Sequence, residues 1–188
     1  MTGDGQSAAE IAASRGEGTA TEFVCAWVDV VLNHRDWALA MGASTPELRL
    51  ATAQHFIVQA QHLKALDIPD TIRDELAAEL AAIDTSHALW NAYATASLDS
   101  FDDVRGKHLA HSTRPRPIDI EHEGVLLIEY DTSSVTPMTV DGQELKQVRT
   151  EEPPELQWPL VARRVSGLWL LASFRGELPR PGWPPFLG

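Results

Sequence analysis

"LQWPLVARRVSGLWLLASF", residues 156–174, decides the fold. It holds two apolar runs separated by Ser166-Gly167, a pair suited to the turn of a β-hairpin. Alternation along the first run sends Trp158, Leu160 and Ala162 to one face. Pro159 has no N–H to give to a ladder, so its strand should begin at an edge or a bulge. Two further stretches extend the pattern towards the N-terminus. "MTVDGQEL" (138–145) places Asp141-Gly142 between two short runs, again a hairpin signal. "IDIEHEGVLLIEYD" (118–131) has an apolar centre from Val125 to Ile128, then Tyr130. Pro115 and Pro117 preclude a helix just before it. "TEEPPEL" (150–156) reads as a loop within one sheet, because the strands on either side need each other.

The first half of the chain has helical period instead. "TATEFVCAWVDVVLNHRDW" (19–37) opens with Thr19 and has Glu22 three positions later, a capping box. Phe23, Trp27, Val30 and Val31 follow on one face. "STPELRLATAQHFIVQAQHLKAL" (44–66) starts at Ser44 or Thr45, with Pro46 in the first turn and Glu47 completing a box. "IPDTIRDELAAELAAI" (68–83) carries a stripe of Ile72, Leu76, Leu80 and Ile83. "TSHALWNAYATASLDSFDDV" (85–104) should start at Thr85 or Ser86 and shows Leu89, Trp90, Tyr93 and Phe101. Helices first and strands afterwards argue an α+β domain, with helices packed on an antiparallel sheet.

The ends differ from the middle. "MTGDGQSAAEIAASRGEG" (1–18) lacks an apolar stripe and reads as a flexible arm, leaving 19–188 as a single domain. It has neither the basic start nor the apolar run of a secretory signal. The closing "GELPRPGWPPFLG" (176–188) is the opposite case, with prolines, Trp183 and Phe186. Chain ends fray unless something ties them down. Proline restricts the free chain and needs no N–H partner, so this tail should be ordered against helix 1 or a partner subunit.

Composition excludes some partners. The 188 residues hold 15 Lys and Arg against 27 Asp and Glu, a formal charge of −12. Such a field repels nucleic-acid backbones and anionic membranes. No run approaches the roughly 18 apolar residues of a membrane helix, so the expected setting is the cytoplasm. One cysteine, Cys25, excludes an internal disulfide, and its apolar neighbours mark it as a small buried hydrophobe.

Four sets of residues could carry chemistry. The cluster 105–116 holds Arg105, Lys107, Arg114 and Arg116 with His108 and His111 and no acid. It either binds an anion or offsets the acidic helices. His108, His111 and the "EHE" of 121–123 lie in a strand-like region, where i, i+3 residues face apart, so no metal site is expected. His55 and His62 are seven apart on one helical face, which suits one buried and one exposed histidine. The aromatic residues Trp27, Tyr93, Trp158 and Trp169 fall on apolar faces. They read as core residues that would line a cavity if one is open. Nucleophile-elbow, P-loop and dinucleotide fingerprints are absent.

Three stretches, "AWVDVVLNHRDWALAMGASTPELR" (26–49), "STRPRPIDIEHEGVLLIEY" (112–130) and "PRPGWPP" (179–185), resemble an uncharacterised branch of the NTF2-like (SnoaL-like) superfamily. The resemblance implies a cone-shaped α+β fold with a curved sheet and with the last strand in a central position. The superfamily includes isomerases, epoxide hydrolases, cyclases, dehydratases and non-enzymatic modules, so fold alone selects no activity. A carboxylate in the cone acts as base in its enzymes, which makes Asp36 or Asp29 a candidate. The epoxide-hydrolase set of Asp, Arg, Tyr and Asn has its residue types here (Asp36, Arg49, Tyr93, Asn91) without matching spacing. Two expectations follow. The first is a binding or dimerisation module without cofactor, taking a small apolar ligand among Trp27, Tyr93, Trp158 and Trp169. The second is a lyase, isomerase or hydrolase with Asp36 or His55 as base and Tyr93 as hydrogen-bond donor. Apolar residues on both faces of the strands further predict a homodimer through the exposed sheet face.

Overall fold

The computed structural model describes residues 11–65, 67–112, 115–140, 142–148 and 154–188. The chain is α+β, helices first. Helix α1 covers residues 11–16 of the described chain. It is followed by α2 (Ala20–Asp29), α3 (Trp37–Gly42), α4 (Pro46–His62), α5 (Arg73–Ala81) and α6 (Trp90–Asp99). Seven strands complete it: β1 (Leu109–His111), β2 (Arg116–Pro117), β3 (His122–Glu129), β4 (Val135–Val140), β5 (Gln143–Val148), β6 (Gln157–Val165) and β7 (Leu168–Ser173).

The main sheet is antiparallel in the order β1-β3-β6-β7, with β2 also paired to β3. β1 pairs with the end of β3 and β2 with its start, so the two share one edge. The 156–174 hairpin forms as its sequence predicts. Ser166 and Gly167 both have positive φ, 52° and 85°, as a two-residue turn of this kind requires. At Pro159, β6 pairs only with β3, since the β7 pairing begins at Val161 beside a bulge. The missing N–H therefore leaves no ladder bond unmade. The resemblance placed the last strand centrally; β7 instead lies at the end of the strand order. Its outer edge is covered by the α3–α4 connection: Thr45 N donates to Leu171 O at 2.8 Å and Leu171 N to Ala43 O at 2.9 Å. The 138–145 hairpin also forms, but β4 and β5 make a separate two-stranded ribbon.

Helix ends follow local chemistry, with some departures from expectation. The Thr19–Glu22 capping box is present. α2 then widens into a π turn over Val30–His34, ending at Arg35 with φ 52°. That ending turns the Arg35 guanidinium onto Asp99 (2.5 Å) and Asp102 (3.0 Å) at the far end of α6. Thr45 caps α4, which puts Glu47 at the second helical position, one short of a box. α6 begins at Trp90, not at 85 or 86, because Asp84 captures the Ser86 amide and hydroxyl in a local turn. On α5, Leu76 and Leu80 are buried, while Ile72 precedes the helix and stays exposed.

One core joins helices and sheet. Phe23, Val24, Trp27 and Val30 of the first long helix meet Val125, Leu127, Leu160 and Leu171. Its centre is a run of aromatic rings in edge and stacked contacts. Trp27 stacks on Phe174 at 6.2 Å, Phe174 meets Phe101 at 5.3 Å, and Phe101 meets Trp158 at 5.6 Å. Trp37, Tyr93, Phe56 and Trp90 continue the run towards α4 and α6.

Residues 11–18 and the C-terminal tail both pack. The expectation of a free arm through Gly18 is corrected for residues 11–18. Ile11 is buried in the core, Arg15 Nε donates to Trp169 O, and Trp169 Nε1 donates to Gly18 O at 2.9 Å. Residues 1–10 lie outside the described ones. The tail is ordered as expected, but it docks on α4 and α5, not on the first long helix. Arg180 and Phe186 bond each other through both backbone groups. Gly182 N donates to Gln54 Oε1 of α4, and Trp183 Nε1 donates to Asp74 Oδ1 of α5. Leu187 is more deeply buried than Trp183 or Phe186.

Candidate functional site

Residues three and four apart share a helical face. On α4 that rule aligns Thr52, His55, Phe56 and Gln59, and this face looks across to Ala96, Ser97 and Ser100 at the end of α6. Phe174-Arg175, just past β7, and Leu187 of the docked tail close the remaining sides. Together they line a half-open cavity of about 360 Å³. Its walls are mixed in a definite way. Trp37, Phe56, Leu63, Ala96, Phe101, Phe174 and Leu187 supply the apolar surface. The polar lining is Thr52, His55, Gln59, Ser97, Ser100 and Arg175, with no carboxylate side chain. A concave apolar site with a few converging polar groups is the usual form of a small-molecule pocket.

Two of the three hydroxyl protons, those of Thr52 and Ser100, are already engaged. Thr52 Oγ1 donates to Leu48 O at 2.7 Å, and Ser100 Oγ donates to Ser97 O at 2.6 Å. Each retains lone pairs for an incoming donor. His55 is half-buried and makes no hydrogen bond among the described residues. Burial, and then the positive charge of Arg175, push its pKa below the ordinary imidazole value. Arg175 itself forms no ion pair among the described residues.

The residues expected to carry catalysis are not brought together. His55 lines the cavity. Asp36 instead caps α3, accepting from Leu39 N at 2.9 Å, and faces an outer groove with His34, Arg35 and Trp90. Asp29 is held on the surface by Asn33 and His34. Tyr93 lies wholly inside the aromatic run and lines neither space. Its hydroxyl is buried without a hydrogen-bond partner among the described residues, as are Trp37 Nε1 and Arg49 Nε. Burial pushes the Tyr93 pKa far up, only partly offset by the neighbouring Trp37 and Arg49. Such a phenol does not ionise at neutral pH.

The four aromatics expected to line a ligand cavity are placed in the core. Trp27 Nε1 donates to Ala40 O, Trp158 Nε1 to Phe174 O and Trp169 Nε1 to Gly18 O, so each indole is fixed by backbone. Neither they nor Tyr93 line the 360 Å³ cavity. The aromatic residue at the cavity from α3 is Trp37.

Elsewhere, His122 is held by Asp119 at 2.9 Å and Glu121 pairs with Arg163 at 2.8 Å. Among the described residues no three His, Cys, Asp or Glu converge as a metal set. In the basic cluster, Lys107 pairs with Glu129 of β3, not with an acidic helix; Arg114 lies outside the described residues. Burial and Glu22 both raise the Cys25 pKa, which keeps its thiol protonated and unreactive. No helix of the described residues is long and apolar enough to cross a membrane. Comparison with protein-family models, with curated proteins and with solved structures returns no match.

Proposed function

We propose that this chain is a binding domain that takes a small apolar molecule into the cavity between α4, α6 and the C-terminal tail. The observation that carries the reading is the composition of that cavity: seven apolar side chains, polar groups of His55 and Gln59 that are unengaged among the described residues, and a volume of about 360 Å³. Binding is favoured over catalysis because the cavity offers His55 without a carboxylate to orient it or to share its proton. An isomerase, lyase or hydrolase would have to work with that imidazole alone. The NTF2-like resemblance is part of the proposal, supported by helices that precede and pack against an antiparallel sheet. A cytoplasmic setting belongs to it too, in keeping with a single cysteine.

A thermal-shift screen of small apolar compounds tests the reading. At least one compound should raise the melting temperature, and Ser97→Phe, which fills the cavity from α6, should abolish that shift while the protein still melts cooperatively. A shift that survives Ser97→Phe, or no shift with any compound, contradicts it.

A second reading, homodimerisation through the sheet, rests on a separate observation. The face opposite the helices carries a groove of about 590 Å³ lined by Ile118, Leu126, Pro159 and Val161, with Arg116 at its side. Beside it Ile118 and Ile120 are exposed. Light scattering should give twice the chain mass of 20.6 kDa, and Leu126→Glu should return the monomer. The monomer mass for the unaltered chain at micromolar concentration refutes the dimer.

A further inference from the structure

The charge around the cavity runs against that of the chain. The protein has a formal charge of −12, yet the cavity lining has one arginine, one histidine and no acidic side chain. Three half-buried arginines are matched, Arg35 by Asp99 and Asp102, Arg73 by Asp70 and Arg163 by Glu121, whereas Arg105, Arg116, Arg164 and Arg180, exposed like Arg175, form no ion pair among the described residues and line no part of this cavity. Arg175 has no such partner among the described residues, although it stands at the cavity beside His55. Its backbone explains its position. Arg175 N donates to Ser173 Oγ at 3.0 Å, and the following Gly176 has a φ of 85°. This turn ends β7 and carries Arg175 to the cavity, with Phe174 as the adjoining apolar wall. A guanidinium presents a fork of donors that matches a carboxylate. His55, when protonated, adds a second cation, and Gln59 a neutral donor on the same helix.

We propose that the ligand is an apolar carboxylate, with its hydrocarbon body against Phe56, Phe101 and Phe174 and its anionic head between Arg175 and His55. This rests on the cavity being the binding site. It adds a chemical class that an apolar pocket alone would not select. Apolar walls alone discriminate poorly between a carboxylate and its neutral isostere; an arginine at the mouth adds a charge-assisted contact that only the carboxylate makes. Placing an anion beside His55 also reverses the electrostatic penalty that Arg175 imposes on its protonation.

The test uses the full chain and a matched pair, trans-cinnamate and trans-cinnamamide, titrated by calorimetry at neutral pH and low salt. Cinnamate should bind at least about tenfold more tightly, the order expected for one charge-assisted contact. Arg175→Met should reduce the ratio of the two affinities to within about twofold, and Arg175→Lys should keep most of it. Melting curves of both variants check the fold. Equal affinities in the unaltered protein overturn the carboxylate class while leaving the cavity as a binding site. A preference for cinnamate that persists in Arg175→Met overturns the role of Arg175. Failure of both compounds to bind overturns the inference, and the apolar screen with Ser97→Phe then decides separately whether the cavity binds anything.

Discussion

The indole N–H of Trp183 donates to the Asp74 carboxylate at 2.5 Å, with the Arg73 guanidinium over the same ring at 4.5 Å. One tail residue thus meets two consecutive residues of α5. A half-buried ring with a charge-assisted hydrogen bond and a cation–π contact is worth more than a surface side chain and less than a core one. Trp183→Ala should therefore destabilise the protein by about 1–3 kcal/mol, within the common range for point changes. Equal melting midpoints for the full chain and for one cut after Glu177 would mean that the docked tail adds nothing.

Ile11 makes a parallel case at the other end. Its side chain is 2% exposed, although the sequence around it has no helical stripe. Ile11→Ala should cost about 2 kcal/mol or more by urea denaturation, as for other large-to-small core changes. A change under about 0.5 kcal/mol would return these residues to the status of a free arm.

Tyr93 separates a packing role from a catalytic one. Its hydroxyl is buried without a partner among the described residues, so the fold bears the desolvation with no hydrogen bond from them in return. Tyr93→Phe should leave the urea midpoint unchanged or raise it. A loss above about 1 kcal/mol would show that the hydroxyl is satisfied in solution, and would restore it as a donor.

His55 gives a pH signature. Its folded pKa lies below the ordinary value, so the unfolded chain binds its proton more readily. The stability that follows from a neutral His55 is fully present above about pH 6.5 and is lost as pH falls towards the depressed pKa. The difference in stability between the unaltered protein and His55→Gln should therefore shift against the unaltered protein on going from pH 7.5 to 5. A difference that stays constant across this range means that the imidazole titrates normally.

How far the sequence reveals this molecule depends on the range of the interactions. Thr19 with Glu22, Ser166-Gly167 and the Trp158-Leu160-Ala162 alternation act within a few residues, and each forms as read. Asp84, Ile72 and Glu47 show the limit at helix ends, where a local turn or a one-residue change of cap shifts the boundary. The cavity was only partly legible. His55 stands out in the sequence as one of a histidine pair on α4, and the 52, 55, 59 spacing is visible once a face is chosen. Arg175 and Leu187 join it only because β7 ends there and the tail returns across α4, contacts set by tertiary packing. The tryptophans show the same limit. Apolar faces alone do not distinguish a ring that lines a space from one that fills it, and Trp27, Trp158 and Trp169 are fillers fixed through their N–H groups.

The most direct test of the cavity as the ligand site reads the tryptophan indole N–H resonances during titration with cinnamate. Trp37 touches the cavity and its N–H has no partner among the described residues, whereas the Trp27 and Trp169 N–H groups are bonded to Ala40 and Gly18 away from it. The Trp37 resonance should move saturably while those of Trp27 and Trp169 stay in place. Movement of Trp27 or Trp169 with Trp37 unchanged would put the ligand elsewhere and contradict the account.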